Sequence, residues 1–260
     1  MTTQYLDGLA VELDGEGPPV VCLHGLGGTS NTWTPLLRAL RGRQVIRIDL
    51  PGSGRSAGVT GPLSVEGMAD AVIGVCRRLG VAGAPLVGHS MGTVVCQQVA
   101  VRAPSLVRSL ALFGPLACPP DAARPNLRAR ADKARSGGTV AMQEIADAIV
   151  QGAMSASSRD GLPVAVALVR ESLMRQDAQG YARSCEALAA AESAALEDIT
   201  VPVLLVTGDE DGVAPPAAVR AMAQRLPAAR VVVLDRCGHW TTFERPAECG
   251  QQLEAFLRRP

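Results

Sequence analysis

The residues with the clearest chemical potential are at positions 88–92, which read GHSMG. The apolar run Pro85–Val87 precedes them and a helical pattern follows. Gly-x-Ser-x-Gly between a strand and a helix is the nucleophile elbow, in which a strained turn projects the serine Oγ away from the backbone. Glycines flank it because a Cβ there would collide with the neighbouring strand or helix. Ser90 is therefore the predicted nucleophile.

A second match to the same pattern, residues 54–58 (GRSAG), lacks this context. It lies in a Gly- and Pro-rich segment, and Gly61-Pro62 follows where a helix would have to begin. We therefore expect Ser56 to lie in a loop.

A serine hydroxyl is a weak nucleophile at neutral pH and needs a neighbouring base, which a third group must orient. The chain has three histidines. His24 lies beside a glycine turn ahead of the serine, and His89 is a strand neighbour of Ser90 that points to the opposite side. His239 follows the last predicted strand, at the edge of the sheet where the elbow lies. It is the predicted base.

The orienting carboxylate is expected in the turn after the strand at 201–207. This turn offers Asp209, Glu210 and Asp211, and turn carboxylates are often solvated or capping residues. We favour Asp211 because it lies deepest in the loop, three residues after Gly208. Asp209 and Glu210 stay open as alternatives.

A tetrahedral intermediate needs two directed main-chain N–H donors. The residue after the nucleophile supplies one, here Met91, and the loop after the first long strand supplies the other, here Leu26. Glycines at 25, 27 and 28 let that loop approach a ligand closely. An ordinary tight turn is the alternative interpretation of these glycines.

Strand and helix patterns alternate along much of the chain. A hairpin is predicted at 4–13, strands at 20–23, 45–50, 85–89, 106–113, 201–207 and 230–234, and helices at 31–40, 64–79, 91–103, 216–226 and 246–257. This rhythm predicts an α/β fold with a mostly parallel, doubly wound sheet, built from residues 1–115 and 197–260. Residues 116–196 contain only helical patterns, at 140–151, 162–175 and 177–195. They predict an inserted helical cap over the active-site edge.

Composition restricts the possible partners. The formal net charge is zero, which argues against a nucleic acid or an anionic membrane as partner. No apolar run reaches the ~18 residues of a membrane span, and the first residues do not resemble a signal peptide. Seven scattered cysteines without metal-ligand spacing indicate reduced thiols. These features predict a cytoplasmic protein, and no metal or organic cofactor is implied.

Five motifs, in order along nearly the whole chain, resemble those of the α/β-hydrolase fold superfamily. They are residues 24–28 (HGLGG), 49–56 (DLPGSGRS), 88–92 (GHSMG), 208–211 (GDED) and 238–239 (GH). The resemblance implies the α/β-hydrolase fold, a helical lid, and Ser90, Asp211 and His239 as the catalytic triad.

Subgroup features point in different directions. Residues 177–188 resemble the lid of 3-oxoadipate enol-lactonase-like hydrolases, although that group usually carries Leu at position 89. The pair His239-Trp240 is similar to that of the C–C bond hydrolases that act on meta-cleavage products. Those enzymes usually have Asn at position 89, where this chain has His. Epoxide hydrolases and haloalkane dehalogenases place Asp at the elbow, so Ser90 argues against both.

Large apolar residues near the elbow and in the cap are candidates for an acyl pocket, although each is a core candidate too. They are Trp33, Met91, Met142, Ile145, Met154, Tyr181 and Trp240. The cap arginines Arg124, Arg128, Arg130 and Arg135 are either a solvated basic face or a contact for a substrate carboxylate.

Together these features predict a serine hydrolase whose substrate is a small carboxylic ester or lactone. An enol-lactonase and a C–C bond hydrolase with the same triad are alternatives within the enzyme class, and a cofactor-free haloperoxidase is another. A hydrolase-shaped receptor or signalling partner is the alternative outside it.

Overall fold

The computed structural model describes residues 1–258. Its centre is an eight-stranded sheet in the order β1-β2-β4-β3-β5-β6-β7-β8. The strands are β1 Thr2–Leu6, β2 Leu9–Asp14, β3 Pro19–Leu23, β4 Gln44–Ile48, β5 Ala84–His89, β6 Val107–Phe113, β7 Val203–Gly208 and β8 Ala229–Leu234.

The sheet is mostly parallel. β1 and β2 form the predicted antiparallel hairpin, with positive φ at Asp7 and Gly8 in its turn, and β2 also pairs antiparallel with β4. The six strands from β3 to β8 all run parallel to one another. Their carboxyl ends therefore meet at one edge, and residues that follow β3, β5, β7 and β8 can converge there.

Helices cover both faces of the sheet. They are α1 Val65–Arg78, α2 Met91–Arg102, α3 Arg124–Ala153, α4 Ala156–Gly161, α5 Pro163–Met174, α6 Ala178–Ala190, α7 Pro216–Gln224, α8 Thr241–Glu244 and α9 Pro246–Leu257. α1, α2 and α7 pack on one face, and the segment Ser30–Leu40 packs with α9 on the other. The predicted α/β-hydrolase fold, doubly wound around a mostly parallel sheet, is confirmed.

The segment predicted as an α-helix at 31–40 forms a different type of helix. Residues Ser30–Leu40 form 3₁₀ turns, and Pro35 lies inside them. Proline has no N–H to donate and its ring clashes with the preceding turn, so a regular α-helix cannot run through this position. The apolar spacing still places Trp33, Leu36 and Leu40 in the core.

Four helices lie between β6 and β7, and we call α3–α6 the cap. They enclose an apolar cluster of their own, which includes Met142, Val169 and Tyr181. α3 is kinked at Gly138, where φ is 54°. Its first half, an Arg-rich polar stretch, was not predicted as helix, and α6 ends at Ala190 rather than 195. The division of the chain at residues 116 and 196 stays a prediction.

Within residues 1–258, no helix is long and apolar enough to cross a lipid bilayer. α3 has 30 residues but is interrupted by charged side chains.

Candidate active site

Ser90 occupies a sharp turn between β5 and α2. Its φ is 50° and its ψ −120°, a conformation that few non-glycine residues adopt, and such strain costs about 1–3 kcal/mol. A Cβ on Gly88 would lie 2.7 Å from the Gly92 carbonyl oxygen, and one on Gly92 would overlap Leu23 O. The two glycines are therefore required by close packing of β5, α2 and β3.

A continuous hydrogen-bond chain joins a hydroxyl, an imidazole and a carboxylate. Ser90 Oγ lies 2.8 Å from His239 Nε2, and His239 Nδ1 lies 2.8 Å from Asp211 Oδ2. Because an ionised carboxylate only accepts, Nδ1–H donates to Asp211 and Nε2 accepts from the serine hydroxyl. The exposures are 8% for Ser90, 6% for His239 and 2% for Asp211.

Asp211 is held as an anion. Burial by itself raises the pKa of Asp211, but the charge of His239 and the hydrogen bonds from His239, Ala214 N and Val213 N outweigh it. The pKa therefore lies below its ordinary value. The two main-chain donors reach Oδ1 at 2.7 and 2.8 Å, which leaves Oδ2 for the imidazole.

The neighbouring carboxylates have other partners. Asp209 Oδ1 accepts from Cys237 N at 3.0 Å, and Glu210 Oε2 accepts from Ala156 N at 3.0 Å. Of the three turn carboxylates, Asp211 is thus the one that contacts the imidazole.

The other two histidines bond the main chain. His24 Nδ1 donates to Gly25 O at 2.8 Å, and its Nε2 accepts from Leu50 N at 2.9 Å. His89 Nε2 donates to the carbonyl of His239 at 2.9 Å. Burial, and next the proximity of His239, lowers the pKa of His89 to about 3. His89 is therefore uncharged and bonds the loop of residues 235–240, which carries His239 and which we call the histidine loop.

The rejected second motif is structural. Ser56 Oγ donates to Asp49 O at 2.6 Å and accepts from Ala10 N at 2.9 Å, and Ser56 ends a single 3₁₀ turn, Gly54–Ser56, where a loop was predicted. The Asp49 carboxylate accepts from Ser30 N and pairs with Arg55. These bonds tie the segment after β4 to the start of the 3₁₀ segment.

The glycine-rich loop at 24–28 lies against the elbow. Gly28 N bonds Gly25 O at 2.9 Å, which closes a tight turn. A Cβ on Gly25 would lie 2.8 Å from the Cβ of Ser90. Leu26 lines the cavity at Ser90, and Met91 begins α2 directly after the serine.

The cap is bonded to this glycine loop. Ser172 Oγ donates to Gly27 O at 2.7 Å, and Gln176 Nε2 lies 3.2 Å from both Gly27 O and Gly28 O. Gln176 Oε1 accepts from Gly54 N at 3.0 Å. One buried glutamine thus joins the cap to two loops of the core.

A cavity of about 250 Å³ opens onto Ser90 and His239. Its walls are mainly apolar and include Leu26, Leu127, Ile149 and Trp240, and Arg130 is the one cation among its lining residues. A larger cleft of about 590 Å³ lies between α5 and the 3₁₀ segment. Ser90 does not line that cleft, so the smaller cavity is the candidate substrate site.

Of the seven residues suggested for an acyl pocket, Trp240 lines this cavity and the other six do not. Trp33 packs under the opposite face of the sheet, 6.0 Å from Phe113 between ring centroids. Met142, Ile145 and Tyr181 are buried in the cap cluster and do not line the cavity. The apolar spacing in the sequence indicates that these residues are buried, but it does not show whether they pack in the sheet core, in the cap or at the cavity.

The basic cap residues differ from one another. Arg124 pairs with Asp121 and Glu192, and Arg135 pairs with Asp132 and Glu186. Arg128 is exposed, whereas Arg130 is half-buried at the cavity.

Residues 18–246 match the family described as "alpha/beta hydrolase fold", and the chain belongs to that family. The enol-lactonase of Burkholderia xenovorans LB400 is similar in structure, with a TM-score of 0.90 and 30% identity over 99% of this chain and 100% of its own. A thermophilic esterase from Thermogutta terrifontis gives a TM-score of 0.90 and 28% identity over 96% and 93%.

Another similar protein is longer than this chain. The dihydrolipoyllysine-residue acetyltransferase component of the acetoin cleaving system of Pseudomonas putida is 30% identical over 95% of this chain. The match spans 66% of that protein's length.

Proposed function

We propose that this α/β hydrolase is a serine hydrolase of carboxylic esters or lactones. The observation that carries the proposal is the pair of 2.8 Å contacts linking Ser90, His239 and Asp211 at the floor of the cavity. The similarity to an enol-lactonase and an esterase supports this bond type.

In the acylation step, Ser90 Oγ attacks the substrate carbonyl while His239 Nε2 takes its proton. Asp211 holds the imidazole in the Nδ1–H tautomer and stabilises the imidazolium. The main-chain N–H groups of Leu26 and Met91 stabilise the oxyanion. His239 then protonates the leaving alcohol, and Ser90 keeps the acyl group.

Water completes the cycle. His239 removes a proton from a water molecule that attacks the acyl ester, and it returns that proton to Ser90 Oγ as the acid leaves. A lactone follows the same steps, with the leaving alcohol still attached to the acyl group.

The cavity favours a small substrate that carries a carboxylate. Its volume of about 250 Å³ is below the usual range for drug-sized ligands. Arg130 is its cation, and arginine binds carboxylates through two parallel hydrogen bonds. We infer that Arg130, which lines the same cavity as Trp240 and His239, contacts an acidic group of the substrate.

Serine labelling with turnover tests the reaction. We expect a fluorophosphonate probe to add one mass increment to wild-type protein and none to Ser90→Ala, which should also lose hydrolysis of p-nitrophenyl butyrate. Ser56→Ala is the matched control and should keep both properties. An unlabelled wild type, or one labelled but inactive on a panel of esters and lactones, would contradict the proposal and favour a receptor. Cleavage of a vinylogous diketone acid without ester hydrolysis would instead indicate C–C chemistry.

Paired substrates test the role of Arg130. Arg130→Ala should raise KM for a half-ester of succinate about tenfold or more and leave a neutral butyrate ester unchanged, since a charged hydrogen bond contributes about 1.5–3 kcal/mol. Exposed Arg128→Ala is the control. Equal effects on both esters would show that Arg130 does not recognise a carboxylate.

A further inference from the structure

Three main-chain N–H groups converge on one buried carboxylate near the triad. Glu244, at the end of α8, has 2% exposure. Its Oε2 accepts from Ser155 N and Gly238 N, each at 2.9 Å, and its Oε1 accepts from Trp240 N at 3.0 Å. A buried charge needs such bonds to offset its lost hydration.

These donors surround the base. Gly238 and Trp240 flank His239, whose own N–H donates to Ala153 O in the cap at 2.7 Å. Three successive N–H groups of the histidine loop are therefore held, two by Glu244 and one by the cap. A Cβ on Gly238 would lie 2.6 Å from both Ala153 O and Ser155 N, so the loop and the cap approach as closely as glycine permits.

Helix capping explains only part of this arrangement. The Oε1 bond to Trp240 N caps the four-residue helix α8. The two partners of Oε2 lie outside α8, one in the histidine loop and one, Ser155, at the start of the cap helix α4. Bonds to an ionised acceptor are about twice as strong as neutral ones, so Glu244 is well suited to fix both segments together.

We propose that Glu244 is a positioning residue, which aligns His239 with Ser90 and joins the histidine loop to the cap. The inference rests on the proposed hydrolase function. Nothing in the spacing of residues 240–244 marks this glutamate in the sequence, because its partners are main-chain N–H groups and one of them, Ser155 N, lies 89 residues away along the chain.

An isosteric substitution tests the carboxylate. In Glu244→Gln an amide NH₂ replaces one oxygen and faces a main-chain N–H, so the loop must shift. We expect kcat to fall about 10- to 100-fold with KM within twofold, since a shift of about 1 Å at a reacting group is worth about 10²-fold. The rate of serine labelling should fall by the same factor. Exposed Glu248→Gln is the control and should match wild type.

A second pair of variants tests the bond to the cap without touching Glu244. Ser155 has φ −64° and ψ 154°, which proline adopts, and Met154 before it is extended. Ser155→Pro therefore removes the N–H that Glu244 accepts, and Ser155→Ala removes only the hydroxyl. We expect the proline variant to lower kcat further below wild type than the alanine variant does, by threefold or more.

These results distinguish failure of the proposed hydrolase function from failure of the proposed role of Glu244. Inactive, unlabelled wild type would refute the proposed function. If the wild type is active and Glu244→Gln has the same kcat and labelling rate, the positioning role of Glu244 is refuted, even if the variant has a lower Tm. The proposed hydrolase function would stand, and Glu244 would have only a structural role. If Glu244→Gln does not fold, equal kcat in the two Ser155 variants refutes the proposal in the same way.

Discussion

His89 and His239 are linked by a hydrogen bond from the His89 Nε2–H to the main-chain carbonyl of His239, at 2.9 Å. The two rings lie 5.2 Å apart between centroids, and His89 is also 5.3 Å from the ring of Trp240. The residue before Ser90 thus supports the loop that carries His239. Burial keeps His89 in its neutral form, because a second proton would add a buried charge beside His239.

This relationship predicts a pH-dependent stability. The pKa of His89 is about 3 in the folded protein and 6.5 in an unfolded chain. Between these values the unfolded state binds a proton that the folded state does not, so stability falls as pH decreases below about 6. The slope reaches about 1.4 kcal/mol per pH unit. Urea unfolding from pH 7 to 4.5 should show a smaller decline for His89→Asn than for wild type, and parallel declines would contradict the prediction.

Asp211→Asn should reduce kcat about 10³- to 10⁴-fold with the fold preserved. The asparagine oxygen still accepts from Val213 N and Ala214 N, but its NH₂ faces His239 Nδ1 and favours the wrong tautomer. Circular dichroism should be unchanged beside the kinetic loss. Asp209→Asn, at an exposed neighbour, is the control, and an equal loss there would assign the acid elsewhere.

Gly27→Ala should destabilise the protein by about 2–5 kcal/mol. Its φ of 76° costs an L-residue about 1–2 kcal/mol, and its Cβ would overlap the side chain of Leu173 in the cap, which adds about 1–3 kcal/mol of overpacking. Gly58→Ala, where a Cβ meets open space, should change the free energy of unfolding by about 1 kcal/mol at most. Thermal and urea unfolding of both variants measure the difference.

Gln176→Met should lower both stability and kcat. It leaves Gly54 N and the carbonyls of Gly27 and Gly28 without the amide that bonds them, at about 1–3 kcal/mol. The glycine loop that carries Leu26 then loses both contacts of the glutamine amide and keeps the bond from Ser172 Oγ to Gly27 O. Exposed Gln179→Met is the matched control. Wild-type kcat in Gln176→Met would show that this connection does not position the loop.

The core of the fold is predictable from local patterns. Apolar runs ending at glycines mark β3, β5 and β7, and the Ser64 hydroxyl caps α1 as its position before a helical pattern suggests. The proximity of Ser90, Asp211 and His239 follows from one rule, that carboxyl ends of parallel strands meet at one edge. Their catalytic roles stay predictions.

The cap and the cavity walls are less predictable, for physical reasons. The first half of α3 is polar and Arg-rich because much of it is exposed, and its buried stripe, Leu127, Ala131 and Ala134, is mostly alanine, which marks a core face only weakly. Trp33 has the apolar character of a pocket residue, but only the path of the chain decides on which side of the sheet it packs. The partners of Glu244 and Gln176 are main-chain groups, which carry no residue identity in the sequence.

The double attachment of the cap, through Gln176 to the glycine loop and through Ser155 to the histidine loop, limits how this scaffold can be recombined. A chimera that exchanges α3–α6 for those of a relative would replace two supports of the proposed active site together with walls of the cavity. Grafts that keep residues 153–155 and 172–176 of this chain should therefore retain turnover while changing substrate preference, which makes the interior of the cap the rational region for redesign.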